Sequence, residues 1–319
     1  MSDRRVLLYF AWSRPGETGA PLAVIDDRFP AVFELRRLFY PKFEGLADAD
    51  VDQSIAGFLD HVQKPNFAAF TELSGATEAE RVGNDGTTTL LDEVLIADAD
   101  TILVISFDSF RTGQAASEAE IEAIRRFLAD PDHVIFVCPH HDIGETADAG
   151  PREREALQLA EHKHHGDPGI PPRQGFGGFA RSLLAGLGVP VENRFGLRPA
   201  ATTDGNPAPA EIVRAMDRLG LLEGVEAFNL HAHLPQLERI GPAAARMEVL
   251  ARQPIDPDAP PHPFTRAGRT TFDALLQSAP DTFAGTLLVC DTTMFSSTAG
   301  GVEDLRCLWS NLLLRPKRA

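Results

Sequence analysis

Four short, mostly apolar runs stand out along the chain: Val6–Trp12, Thr101–Phe107, His133–Val137 and Thr286–Cys290. Runs this short and without alternation mark strands buried on both faces. Val225–Leu230 has the same look and is expected to be a further strand, as is Phe67–Leu73. Between them the period changes. Val32, Leu35, Leu38 and Phe39 share one face of a helix beginning near Ala31, and Leu90, Leu91, Val94 and Leu95 share a face within Thr89–Ala97. Ser117 and Glu120 have the spacing of a capping box, which opens a helix turning Ile121, Ile124, Phe127 and Leu128 inward. A helix over Phe179–Leu187 is closed by Gly188. The last helix, Val302–Leu314, repeats Leu305, Leu308, Trp309 and Leu312 at helical spacing.

Strand, helix and strand between Thr101 and Val137 form a βαβ unit, whose parallel strands need a right-handed crossover. The pattern predicts one α/β domain over residues 1–319: three layers, with a mostly parallel open sheet and helices on both faces. Residues 139–209, rich in Gly, Pro and charge, read as a large insertion after the central strand. In open sheets of this kind ligands bind outside the carboxyl ends of the strands, where the strand order reverses. The residues expected on that crest are Trp12 and Ser13, Asp108 and Ser109, Cys138 to Asp142, His231 and His233, and Asp291 and Thr292.

Charge narrows the partners. Thirty basic side chains against 46 acidic ones leave a net charge of −16, which repels phosphate backbones and anionic lipid. No apolar run reaches the roughly 18–20 residues of a membrane span. Nucleic acid and membrane are therefore not expected, and a small-molecule substrate is. Met1–Arg5 leads into an apolar run too short for a signal peptide. With three widely spaced cysteines, Cys138, Cys290 and Cys307, this suits reduced thiols and a cytoplasmic location. A sheet of this size often dimerises, so a homodimer is the assembly to look for.

The order of elements resembles a known superfamily. Ala97–Ile105, the following helix and Val134–Cys138 resemble the core of class I glutamine amidotransferase-like domains, a flavodoxin-like architecture. Gly285–Asp291 with its C-terminal helix is similar to the trehalose-utilisation (ThuA-like) branch. The resemblance implies a nucleophilic cysteine at Cys138, on a Gly-x-Cys-x-Gly elbow. Here Val137 and Pro139 flank it instead. Pro139 has no N–H to offer an oxyanion, and it drives the residue before it towards extended backbone. The late His-Pro-Glu base of that superfamily is matched only by His233, Pro235 and Glu238, with its spacing broken.

The histidines suggest different chemistry. Seven of the ten fall in three groups: His140 and His141; His162, His164 and His165; and His231 and His233. His140, His141 and Asp142 follow the central strand. Glu161, His164 and His165 share a face if helical, since neighbours three or four apart converge. His231 and His233, two apart in an extended segment, point the same way. Imidazoles and carboxylates without clustered thiolates suit zinc first, with manganese or iron as alternatives. The expected function is a metal-dependent hydrolase of an amide, lactam or ester in a small polar molecule, with a divalent ion on His140, His141, His164, His165, His231 and His233. Asp142, Glu161 or Asp291 would be the base, although Asp291 also suits a cap for the turn after it. Arg194, Arg198 and Ser109 are candidates to hold substrate. Two other readings remain: a cysteine-dependent amidohydrolase using Cys138 with His233, and a non-catalytic binding module.

Overall fold

The computed structural model describes residues 4–18, 67–108, 112–140, 152, 177–193, 196–231, 234–259, 262–297 and 299–316. Its core is one eight-stranded sheet. In chain order the strands are β1 (Val6–Ser13), β2 (Thr77–Val82), β3 (Thr101–Ser106), β4 (Val134–Pro139), β5 (Glu211–Ile212), β6 (Met247–Pro254), β7 (Thr271–Ser278) and β8 (Thr286–Cys290). Across the sheet they run β2-β1-β3-β4-β8-β7-β6-β5. The first five are mutually parallel and the last three pair antiparallel, so the sheet is mostly parallel.

The parallel half explains its own apolar runs. Along β1, Leu8, Phe10 and Trp12 join the core on one face, and Leu7, Tyr9 and Ala11 join the core on the other. β3, β4 and β8 divide in the same way, because successive side chains in a strand point to opposite faces. Four helices of seven residues or more are described: α1 (Ala68–Ser74), α2 (Glu118–Phe127), α3 (Gly178–Gly186) and α4 (Val302–Leu314). Phe70 of α1 and Leu305, Leu308, Trp309, Leu312 and Leu313 of α4 cover the first face. Ala123, Ile124 and Phe127 of α2, with Phe179, Ala180, Leu183 and Leu184 of α3, cover the second. The result is three layers.

Aromatic packing locks the first face. Phe70 stands edge-on to Phe295 at 5.3 Å and to Trp309 at 5.9 Å, and Phe136 stands edge-on to Phe295 at 5.5 Å. On the second face α2 begins with the expected capping box, Ser117 and Glu120 each accepting from the other's backbone N–H. Glu120 also accepts from Leu91 N at 3.0 Å and pairs with Arg81 of β2, and both side chains are buried. That pairing ties α2 to the edge strand β2. Where α2 crosses α3, a Cβ on Gly186 would lie 2.4 Å from Ile121 Cδ1, so glycine permits the close approach.

Several expectations are corrected. Phe67–Leu73 is not a strand: Ala68–Ser74 is helical, closed by Gly75 in the left-handed region. Within Thr89–Ala97 only Glu93–Ile96 is helical. Val225–Leu230 is buried at Val225, Ala227 and Phe228 yet forms no strand. The described part of the stretch 139–209 is joined to the rest of the fold. Within it, α3 packs into the second-face core, and Val191–Glu192 and Gly196–Leu197 pair with Glu238–Arg239 and Leu234–Pro235. The helix expected near Ala31 lies outside the described residues. No helix among the described residues is long and apolar enough to cross a membrane.

Candidate functional site

The chain leaves β1 to form β2 on one side and β3 on the other, so the strand order reverses between β1 and β3. Both strands are paired in parallel with their neighbours, and their carboxyl ends share one edge. That edge is polar and built largely from buried groups.

β1 ends in Trp12 and Ser13. Arg14 follows, folds back over the Trp12 ring at 5.6 Å, and grips both carboxylate oxygens of Glu80 on β2, with Nη2 2.6 Å from Oε1. β3 ends in Ser106, Phe107 and Asp108. The Ser106 hydroxyl donates to Asp108 Oδ1 at 2.5 Å and accepts from Ala180 N at 3.0 Å, and Asp108 Oδ2 accepts from Phe179 N at 3.1 Å. The end of β3 therefore caps α3 from across space. Gly177, the residue at the cap position, has no side chain to do so. Its φ is +70°, and a Cβ there would stand 2.9 Å from the His140 carbonyl oxygen. Glycine lets α3 start directly against β4.

β4 ends in Cys138, Pro139 and His140. Cys138 is fully buried on the first face, its sulfur 3.6 Å from that of Cys290, its neighbour on β8. Burial, then the adjacent Cys138, pushes the Cys290 thiol well up. His140 is half-buried. Its N–H bonds Ser106 O at 2.9 Å, its carbonyl accepts from Arg181 Nη2 at 3.1 Å, and its ring meets Phe107 edge-on at 4.4 Å.

β8 leads into Asp291, which caps the 3₁₀ turn Thr292–Phe295 by accepting from Thr293 N at 3.0 Å and from Thr293 Oγ1 at 2.6 Å. Its other oxygen accepts from Asn193 Nδ2 at 3.1 Å. That amide also bonds Pro139 O, and its oxygen takes Arg181 Nη2 at 2.6 Å. A continuous relay thus runs Arg181–Asn193–Asp291–Thr293 behind the ends of β4 and β8. Above it, Asn229 donates to Thr293 O at 2.6 Å and accepts from His231 N through its side-chain oxygen at 3.1 Å. This places half-buried His231 over the turn that follows β8.

The structure brings His140, His231, Asp291 and Cys138 to the ends of two neighbouring strands. Arg198 lies farther along, 3.7 Å from Asp256, in a segment bonded to the end of β6. His141, Asp142, Glu161, His164, His165, His233, Arg194 and Ser109 lie outside the described residues. Among the described residues no group of three His, Cys, Asp or Glu side chains comes together to hold a metal ion. Sequence reasoning gave no role to Arg181, Asn193 or Asn229. Asn193 and Asp291 are far apart in the chain and meet only through the fold. Only Ser106-x-Asp108, closing an apolar run, carried a local signal.

No protein-family model matches this chain, and no curated protein or solved structure matches it either.

Proposed function

We propose that the protein is a metal-dependent hydrolase acting on an amide, lactam or ester bond of a small polar molecule. Its site would lie at the carboxyl edge of a flavodoxin-like, amidotransferase-like sheet. The parallel order β2-β1-β3-β4-β8 supports that architecture. One observation carries the functional reading: two half-buried imidazoles, His140 and His231, arrive from separate segments at the ends of neighbouring strands. Imidazole is the donor expected for zinc, manganese or iron(II). The remaining ligands would come from His141, Asp142, Glu161, His164, His165 and His233. A bound divalent ion would supply a water of lowered pKa and polarise the scissile carbonyl.

The chain's own groups then divide the work. Asp291 already accepts from Thr293 and Asn193, so it positions the relay, and the base falls to Asp142 or Glu161. Arg181 fixes the His140 carbonyl and so the backbone that presents the imidazole. Arg198 and the neighbouring Arg194 are the groups to hold a substrate anion.

A second reading has its own support. Asp108 and Asp291 are both buried and engaged by internal hydrogen bonds, as in a binding module that does no chemistry. Metal content of untagged protein, measured by inductively coupled plasma mass spectrometry, separates the two. We expect about one zinc, manganese or iron per chain, lost in His140→Ala and His231→Ala without loss of folding. Metal-free wild-type protein would favour the binding module, and full hydrolytic activity without metal would end the first reading.

A further inference from the structure

We infer a second binding site, an oxyanion groove at the edge of the antiparallel half of the sheet. It suits a small ligand carrying a carboxylate or phosphate group. β7 runs against β8, with Leu275 opposite Cys290, so the start of β7 and the end of β6 lie on the same edge as the carboxyl ends of the parallel strands. From that edge back towards the start of β6 runs a groove of about 460 Å³, lined by Gln236, Glu238, Arg239, Arg252, Arg269 and Asp273, among others. Three guanidinium groups face two carboxylates, in a chain whose net charge is −16.

The arginines are only partly engaged. Arg252 gives its Nε to Asp273, its cross-strand neighbour, at 2.8 Å, and its two terminal nitrogens have no hydrogen-bond partner among the described residues. Arg239 reaches a backbone carbonyl, Met247 O, at 3.0 Å. Arg269 lies over the Phe264 ring at 4.4 Å. Neither Arg239 nor Arg269 has a carboxylate partner among the described residues. Gln236 closes one wall, accepting from Asp273 N at 2.7 Å and donating to Leu237 O at 3.0 Å. Leu237 N donates to Asp273 O at 3.0 Å, so two bonds join this wall to β7.

Guanidinium groups bind planar or tetrahedral oxyanions through paired N–H groups, with direction as well as charge. Arg252 sits on a strand and is oriented by its own ion pair, so its free end is preorganised. Arg269 is exposed and stacked on an aromatic face, which positions it at little cost in side-chain freedom. The strong negative charge of the whole chain repels anions in general, so capture depends on this local excess of positive charge. The groove makes no use of His140 or His231 and stands whether or not a metal is bound.

The test is isothermal titration calorimetry on the full chain at low ionic strength, with inorganic phosphate and succinate as separate probes. We expect saturable binding of at least one. Arg269→Ala should weaken it about tenfold or more, the usual loss for a charge-assisted hydrogen bond. Arg252→Lys keeps the charge and removes the fork, and should weaken binding with the melting temperature nearly unchanged. Arg306→Ala, an exposed change on α4 away from the groove, should leave affinity as it was. Binding of phosphate alone assigns a phosphate-bearing ligand, and binding of succinate alone assigns a dicarboxylate. Saturation by neither probe, or equal losses in Arg306→Ala and Arg269→Ala, would overturn the proposal.

Discussion

The two edges of the sheet are both polar, but in opposite senses. At the amino edge two buried arginines, beside buried Asp100, donate to backbone carbonyls. Arg315 donates to Leu312 O at 2.5 Å, Asp100 O at 3.0 Å and Asp132 O at 3.2 Å, and Arg4 donates to Arg315 O and to Pro316 O at 2.8 Å. At the carboxyl edge, beside buried Arg14 and Arg81, buried oxygens take backbone amides: Ser106 and Asp108 take those of α3, Glu120 takes Ser117 N at the start of α2 and Leu91 N, and Asp291 takes Thr293 N. The difference follows from chain direction. Helices that cross back over a parallel sheet begin at the carboxyl edge, where their free N–H groups need acceptors. They end at the amino edge, where free carbonyls need donors. The carboxyl edge leaves His140 and His231 half-exposed, whereas Arg4 and Arg315 at the amino edge are buried and donate to backbone.

Breaking the amino edge should have the largest effect. Arg315→Met removes the donor to three carbonyls and leaves Asp100 and Asp132 without a cation that they share. Breaking buried charged networks in this way costs about 3–5 kcal/mol. Urea unfolding should show a correspondingly lower midpoint, with metal content per folded chain unchanged. Burial, with the nearby Arg4 charge, pushes the Arg315 guanidinium down to about 10.

The carboxyl edge should respond to acid. Burial alone would raise the Glu120 carboxyl, but the Arg81 bond and the Ser117 and Leu91 amides outweigh it and hold the carboxyl below its ordinary range. A carboxyl lowered in the folded state contributes stability that is present above its unfolded value and lost as pH falls through the folded one. Glu120→Gln should cost about 2 kcal/mol at neutral pH, the order of a hydrogen bond to a charged group. It should also flatten the loss of stability below about pH 4.5, the unfolded range of a glutamate. A variant as steep as the wild type in acid would mean that other carboxylates govern that limb.

A smaller loss is expected at the cap of α3. Asp108→Ala strips Phe179 N of its acceptor and Ser106 of a partner, and should cost about 1–2 kcal/mol, as for other helix caps. Asp108→Asn keeps a carbonyl oxygen in place and should recover part of it. Thermal denaturation of the pair separates hydrogen bonding from charge at this edge.

What the sequence revealed follows burial. β1, β3, β4 and β8 are buried on both faces, so their composition alone marks them. β2 reads Thr-Glu-Ala-Glu-Arg-Val, with Arg81 its one buried residue, and it has no apolar run to notice. β6 and β7 mix apolar positions with Glu248, Arg252 and Asp273, because the antiparallel half is only partly covered. Val225–Leu230 misleads for the converse reason. Its apolar residues are buried, but its backbone bonds to loop and side-chain groups, such as Asp304 and Ala299, and not to a strand. At the site, capping boxes and strand-end residues are local and legible. The Arg181–Asn193–Asp291 relay is assembled from distant segments, and nothing in a neighbourhood of residues announces it.

The smallest effect is expected where the family resemblance pointed most directly. A nucleophilic cysteine must ionise and be reachable, since the thiolate is the reactive form. Cys138 is fully buried among core residues, against Cys290, whose thiol is pushed up by burial. Neither sulfur meets solvent, while Cys307 is half-exposed beside Glu223 O. Iodoacetamide on the native protein should therefore label Cys307 and spare Cys138, as peptide mass mapping would show. Cys138→Ala should cost about 1 kcal/mol, near the transfer value of a small buried group, and leave any hydrolytic activity intact. If Cys138 is alkylated faster than Cys307, with activity lost in step, the edge opens far enough to expose its core side. The thiol would then replace the imidazoles as the centre of the chemistry.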